Sequence, residues 1–373
     1  MKISKKDALT WFRFFAELPE GEQLTPRQQE IAYAVLAQIE DAAEARFAAL
    51  EAKIPELHSL DGRTTFVGDP AKFPAGCRSC LTGTGLSAIR RTNQCNMNCP
   101  FCYDFGCLNN VPPIGEDMWE IGGTKYRARD LPLLLSMGKP SGVAYVYLEP
   151  FMEIEKYYSV IRIFREAGVH QHMYTNGTKA TEENLRALGE AGLPELRFNL
   201  GASHCSKKVI EAIRTAKKYI PRVGIETPMT PDFDREFHAH KEEILGTGVD
   251  FMNCAELHLG VNNIVNYEGE TVYMYRHGYI SPVWSREITL KMMAEACAEN
   301  WGIVVHDCAN RTKFARDIHQ KTQEGGWFGA SSYGSEFDGI PYELFLPALE
   351  DPDFQFVTEE PLPEGYRPGD LVF

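Results

Sequence analysis

The chain has 373 residues, 44% of them hydrophobic and 24% charged, with 38 Lys and Arg against 52 Asp and Glu for a net charge of −14. That length suits one large α/β domain or two ordinary ones, and the composition excludes wholesale disorder. The acidic balance argues against a nucleic-acid partner, whose phosphates need clustered cations.

In chain order, residues 5–56 read as helical. Thr25-Pro26-Arg27-Gln28 forms a capping box with proline at the first helical position. Ile31, Val35, Ile39 and Ala43 then recur at helical spacing until Pro55 ends the run. Residues 57–80 read as an irregular connector. From residue 86 strands and helices alternate. The strand candidates are 86–92, 142–148, 171–175, 195–199, 223–227, 250–257 and 303–306. The helix candidates are 154–167, 182–191, 207–219, 234–245 and 286–300. Gly168, Gly192 and Gly246 close three of these helices as C-terminal caps. Repeated βα units with short connections predict parallel strands and right-handed crossovers. Two insertions interrupt the rhythm: residues 108–140, with a hairpin and the apolar stretch Leu131–Leu135, and residues 260–284. The tail after 320 is rich in Gly, Pro and acidic residues and reads as extended chain.

The cysteines carry the functional signal. Six of the ten, Cys77, Cys80, Cys95, Cys99, Cys102 and Cys107, fall within 77–107, and the others are Cys205, Cys254, Cys297 and Cys308. The basic start lacks the apolar core of a secretory leader, because Asp7, Arg13 and Glu17 interrupt it. No run is long enough to cross a bilayer. These features predict a cytoplasmic protein without a membrane partner, in which clustered thiols bind metal or do redox chemistry.

Cys95-Asn96-Met97-Asn98-Cys99-Pro100-Phe101-Cys102-Tyr103 follows the first strand of the βα series. Structural zinc sites want four ligands, usually as two separated pairs. Three thiolates in one loop instead suit a four-iron cluster with one iron left open. At these residues the sequence resembles the radical S-adenosylmethionine (radical SAM) superfamily, whose signature is Cys-x3-Cys-x2-Cys with an aromatic or apolar residue before the last cysteine, here Phe101. The resemblance implies a partial (β/α)6 TIM-like barrel over residues 81–320, a helical N-terminal cap over 1–80 and an irregular C-terminal extension over 321–373. It implies a [4Fe-4S] cluster on Cys95, Cys99 and Cys102 that binds S-adenosylmethionine. Reductive cleavage then yields a 5′-deoxyadenosyl radical, which takes hydrogen from a small-molecule or peptide substrate. A flavodoxin or ferredoxin is implied as electron donor.

Further matches lie at strand ends. Glu149-Pro150 keeps the second half of the family's Gly-Gly-Glu-Pro, which holds the methionine amine. Thr175-Asn176-Gly177 resembles the turn that closes the third barrel strand. Asn199 stands near the polar position of the fourth strand, and Glu226 ends the fifth. With Phe101 and Tyr103 these make the cofactor-side set: Phe101, Tyr103, Glu149, Asn176, Asn199 and Glu226. Side-chain alternation puts His172 and Tyr174 on the face of Asn176, and Cys254, Glu256 and His258 on one face of the sixth strand. His172, Tyr174, Glu256 and Cys308 are the substrate-side candidates, with His306 beside Cys308. Cys77 and Cys80 form a second close pair. Together with Cys107, Cys254 or Cys308 they leave open a second iron–sulfur cluster or a zinc site, while Cys205 and Cys297 read as packing residues. Two alternatives stay open: an activase of a glycyl-radical enzyme, and a non-catalytic iron–sulfur or zinc redox protein.

Overall fold

The computed structural model of the chain describes residues 41–62, 64–81, 86–102, 114–121, 124–138, 141–146, 148–259, 263–267, 269–274 and 280–312. The capping box at Thr25, Tyr103, Cys107 and the tail beyond 320 lie outside the described residues.

The described strands, in chain order, are β1 (His58–Leu60), β2 (Thr64–Val67), β3 (Leu86–Arg90), β4 (Met118–Ile121), β5 (Thr124–Arg127), β6 (Gly142–Tyr145) and β7 (His170–Thr175). They continue with β8 (Glu195–Phe198), β9 (Arg222–Pro228), β10 (Phe251–Ala255), β11 (Val272–Met274), β12 (Ile280–Pro282) and β13 (Val304–Cys308). One sheet runs in the order β1-β2-β13-β10-β9-β8-β7-β6-β3-β4-β5. From β3 to β13 its strands are all parallel. These are the strands expected from the sequence, and β13 adds a parallel strand to the six units of the expected barrel.

The strand order never reverses along this series. Right-handed crossovers therefore place every connecting helix on the same face, and the other face curls inward. That winding makes a barrel rather than a doubly wound sheet. The β4–β5 hairpin continues one edge and β2–β1 the other, both antiparallel, so the barrel is partial. Strand alternation sorts the side chains. On β8, Leu196 and Phe198 join the apolar layer under the helices, with Val223 and Ile225 of β9 and Met252 of β10. Their neighbours Glu195, Arg197, Glu226 and Asn253 turn to the interior.

The helix Val283–Glu299 carries Arg286, which is fully buried. Its guanidinium is met by Glu44 at 2.8 Å, Glu51 at 3.0 Å and Asp307 at 3.3 Å, and lies 4.6 Å from the Phe47 ring centroid. A buried charge needs such partners. This one clamps the helical segment 41–51, the described part of the N-terminal cap, to β13.

The stretch 57–80 is not the irregular connector expected. It supplies β1, β2 and the helix Ala75–Leu81, which plugs the barrel at the strands' N-terminal ends. There Gly76 N donates to Glu195 Oε2 at 3.3 Å and Cys77 Sγ donates to Asn253 Oδ1 at 3.7 Å. A seven-residue helix shows less than two turns of periodicity, so only its tertiary contacts reveal it. Among the described residues no helix is long and apolar enough to cross a membrane.

Candidate active site at the barrel mouth

The loop after β3 carries the three thiols. The loop is pinned from three other segments. Asn176 Nδ2 donates to Asn96 Oδ1 at 3.0 Å, and Asn96 Nδ2 donates to Thr178 Oγ1 at 2.8 Å. Asn263 Nδ2 donates to the Phe101 carbonyl at 3.1 Å, and Asn266 Nδ2 to the Pro100 carbonyl at 2.8 Å. Glu149 N reaches the Gln94 carbonyl at 3.1 Å. Side-chain amides are suited to this work, since one group both donates and accepts.

Cys95, Cys99 and Cys102 are each partly exposed and line one cavity of about 370 Å³ with Glu149, Asn176 and Asn199. Burial pushes the Cys99 thiol up to about 12, and its neighbours Cys102 and Cys95 push it the same way. Three thiolates so placed need a cationic centre to be ionised together. Met97 N, at 3.4 Å, and Asn176 Nδ2, at 3.9 Å, point hydrogens at Cys95 Sγ. Among the described residues the three thiols are not within 4.8 Å of one another, as ligands of a single ion would be. The donor set fits a polynuclear cluster whose ligands bind separate irons.

Glu149 is fully buried beside this loop. Its Oε1 accepts from Phe151 N at 3.0 Å and Thr175 Oγ1 at 2.8 Å, and its Oε2 from Asn176 N at 2.7 Å. Burial outweighs these donors and lifts the carboxyl to about 7. The residue before it, Leu148, sits at φ 57°, in the left-handed region. There a non-glycine residue costs about 1 kcal/mol or more. The resembling motif has glycine at this position, the residue that adopts such a backbone freely.

The remaining predicted residues divide. Asn199 Oδ1 accepts from Thr227 Oγ1 at 2.7 Å and Ala202 N at 3.1 Å at the cavity wall. Phe101, Tyr174, Glu226, Glu256 and Cys308 also line the cavity. Glu256 is already engaged, by the Tyr273 hydroxyl and by Asn310 N at 2.6 Å. His306 lies on the wall too, but burial, with Arg197 adding, drops it to about 3, so it stays neutral.

His172 does not reach the lining. It lies fully buried beneath Tyr174, with Nε2 3.1 Å from the Tyr174 hydroxyl. Cys254 does not share a face with Glu256 and His258. It belongs to the apolar layer with Met252, because the chain leaves strand geometry after Ala255 and alternation stops there. Cys77 and Cys80 face the same cavity from the plug helix. Burial drives the Cys77 thiol well up, partly offset by Arg197. Cys205 is core and Cys297 packs against it.

Sequence reasoning missed the cavity floor. Arg197 is almost wholly buried between Glu195, which accepts from its Nε at 2.7 Å, and Glu226. Its Nη1 also donates to the Tyr174 hydroxyl at 3.3 Å. Glu195 and Arg197 sit four and two residues before Asn199, so the alternation that placed Asn199 inward marks them too.

No family model matches the chain. A Methanocaldococcus jannaschii protein, provisionally named a glycyl-radical enzyme activating enzyme, is 29% identical over 201 residues, 52% of each chain. An uncharacterized protein of the same organism is 21% identical over 192 residues, 48% of this chain and 58% of that one. The chain thus spans about half the length of the curated relatives it matches. Among solved structures, Streptococcus suis SuiB bound to S-adenosylmethionine aligns with a TM-score of 0.37 and 13% identity, covering 48% of this chain and 42% of that one. Methylornithine synthase (PylB) aligns with a TM-score of 0.38 and 14% identity, covering 79% and 83%. The three-cysteine loop seated at the mouth of a sequentially wound parallel barrel agrees with the radical SAM resemblance, and one relative carries the name of a glycyl-radical enzyme activating enzyme.

Proposed function

We propose that Cys95, Cys99 and Cys102 hold one [4Fe-4S] cluster, that S-adenosylmethionine binds beside it, and that the enzyme abstracts hydrogen from an organic substrate in the barrel. The carrying observation is that the three thiols and the polar strand ends open on one cavity. When bound, this pair supplies a reductively generated 5′-deoxyadenosyl radical, chemistry that belongs to the cofactor.

The chain's own residues bind and orient. Glu149 offers a buried carboxylate to the ammonium of the methionine moiety. Asn199 and Glu226 stand where ribose or carboxylate groups are held. Asn176 braces the cluster loop and turns an N–H toward Cys95. Tyr174, Glu256 and Cys308 face the substrate side, and His172 positions Tyr174 from below. The plug helix and the Arg197 network seal the floor, which keeps water from a reactive intermediate. A flavodoxin or ferredoxin is the proposed electron donor.

The substrate class has two readings. A small molecule or peptide fits a cavity of about 370 Å³. A glycyl-radical enzyme as protein substrate is favoured by the name of the 29%-identical relative. Iron analysis after anaerobic reconstitution tests the cluster assignment. Roughly four irons per chain are expected, lost when Cys95, Cys99 and Cys102 become Ala. Roughly eight, halved in Cys77→Ala/Cys80→Ala, would place a second cluster on that pair. No retained iron would overturn the proposal.

A further inference from the structure

Below the cavity, the barrel floor holds a ligand set of which the mouth uses only His172, as the support of Tyr174. His170 and His172 are two residues apart on β7 and share a face. The β7–β8 register sets His172 directly opposite Glu195. One donor atom from each of these three residues lies within 4.8 Å of the other two, and no other His, Cys, Asp or Glu group among the described residues does this. His172 and Glu195 are both 0% exposed.

Buried polar atoms nearly always have a hydrogen-bond partner. Here His170 Nε2 and His172 Nδ1 are both buried without one. The opposite nitrogen of His172 is tied to the Tyr174 hydroxyl at 3.1 Å. With the ring proton on that nitrogen, Nδ1 presents a bare lone pair. Proteins prepare metal-binding imidazoles in this way, one nitrogen anchored and the other free. Glu195 divides similarly. Its Oε1 accepts from Arg197 Nε at 2.7 Å, whereas its Oε2 accepts a long 3.3 Å bond from Gly76 N.

Gly76 is shaped to this pocket. A Cβ there would stand 2.7 Å from His172 Nδ1, 2.7 Å from Glu195 Oε1 and 2.4 Å from Arg197 Nη2. His172 and Glu195 thus border the space that the missing side chain leaves. Arg197 does not cancel the site. Its single charge faces two carboxylates, Glu195 and Glu226, and a cation offsets the excess.

We infer that His170, His172 and Glu195 bind a divalent first-row metal ion, Zn²⁺ or Fe²⁺, at the floor of the barrel. Two neutral imidazoles and one carboxylate match the preferences of both ions. The ion would cross-link β7 to β8 and hold Tyr174 from beneath through His172. This inference does not depend on the cluster at the mouth.

The test uses the full chain with its cluster reconstituted, exposed to Zn²⁺ and desalted. One zinc per chain is expected in the parent and none in His170→Gln. His170 is partly exposed at a strand start, so this variant leaves the fold in place. Cobalt(II) added to Cys95→Ala/Cys99→Ala/Cys102→Ala protein then reports the ligand type. The expected spectrum has ligand-field bands without thiolate charge transfer, and His170→Gln weakens binding at least tenfold. Metal analysis of anaerobically purified protein tells zinc from iron beyond the cluster. Zinc retained in His170→Gln, a thiolate-type cobalt spectrum, or no metal in the parent would overturn the inference.

Discussion

The two ends of the barrel solve opposite problems with similar residue types. At the mouth, thiols and carboxylates surround open space, and loops hold them through side-chain amides. At the floor, Glu195, Arg197, His172 and Cys77 are buried, and Arg197 meets the carboxylates of Glu195 and Glu226. The mouth keeps reactive groups in a roomy cavity, whereas the floor ties Glu195 and Arg197 to each other and to the plug helix. Function and stability should therefore separate along the barrel axis.

The largest expected effects test that separation. Replacing Cys95, Cys99 and Cys102 with Ala should remove iron and S-adenosylmethionine cleavage together, while leaving the circular dichroism spectrum and melting behaviour near the parent's. Arg197→Met should instead lower stability, since it strands the buried Glu195 carboxylate and leaves the partly exposed Glu226 without its partner. It should cost roughly 3–5 kcal/mol in denaturant unfolding, as broken buried pairs do. A mild Arg197→Met would mean that the floor is not sealed.

Gly76→Ala comes next. Its Cβ would meet fully buried groups at 2.4–2.7 Å, an overpacking that typically costs about 1–3 kcal/mol. Unchanged stability would show that the plug helix is not seated where described.

A smaller effect separates the ends by pH. Burial holds the Glu149 carboxyl at about 7, above its ordinary value of 4.5. Its ionisation thus opposes folding. Cluster-free protein should lose stability as the pH rises from about 4.5 through about 7 and then level off, a slope absent from Glu149→Gln. At pH 7 a cation bound beside Glu149 should expel about half a proton. Calorimetry of S-adenosylmethionine binding in buffers of different ionisation enthalpy reads this directly, and zero proton release would remove Glu149 from the amine site.

The smallest effect is at Leu148. Leu148→Gly relieves the positive φ, whereas Leu148→Val adds a β-branch to it. The valine variant should therefore melt lower, with a difference of about 1 kcal/mol. Equal melting would mean that the backbone relaxes there.

The sequence made the mouth legible because its three thiols are close in the chain. Cys95, Cys99 and Cys102 share one loop, and Glu149, Asn176, Asn199 and Glu226 mark the ends of periodic strands. The parallel order followed from alternating βα units. The floor was illegible for a physical reason. Alternation marks Glu195, Arg197 and His172 as inward, but their partners come from separate strands and from a seven-residue helix, and no local pattern pairs them. Strand alternation carried Tyr174 correctly to the cavity. It misplaced Cys254, because the period of two lapses where β10 ends at Ala255. Asn263 and Asn266, which pin the cysteine loop, lie in an insertion with no periodicity to read.

The most direct test of the central claim is product analysis of the full chain. The protein is reconstituted anaerobically, reduced, and given S-adenosylmethionine, and 5′-deoxyadenosine is measured by chromatography and mass spectrometry. Formation of 5′-deoxyadenosine that disappears in the Cys95→Ala, Cys99→Ala and Cys102→Ala variants is the predicted result. No 5′-deoxyadenosine with any reductant, from protein carrying its full iron, would contradict it.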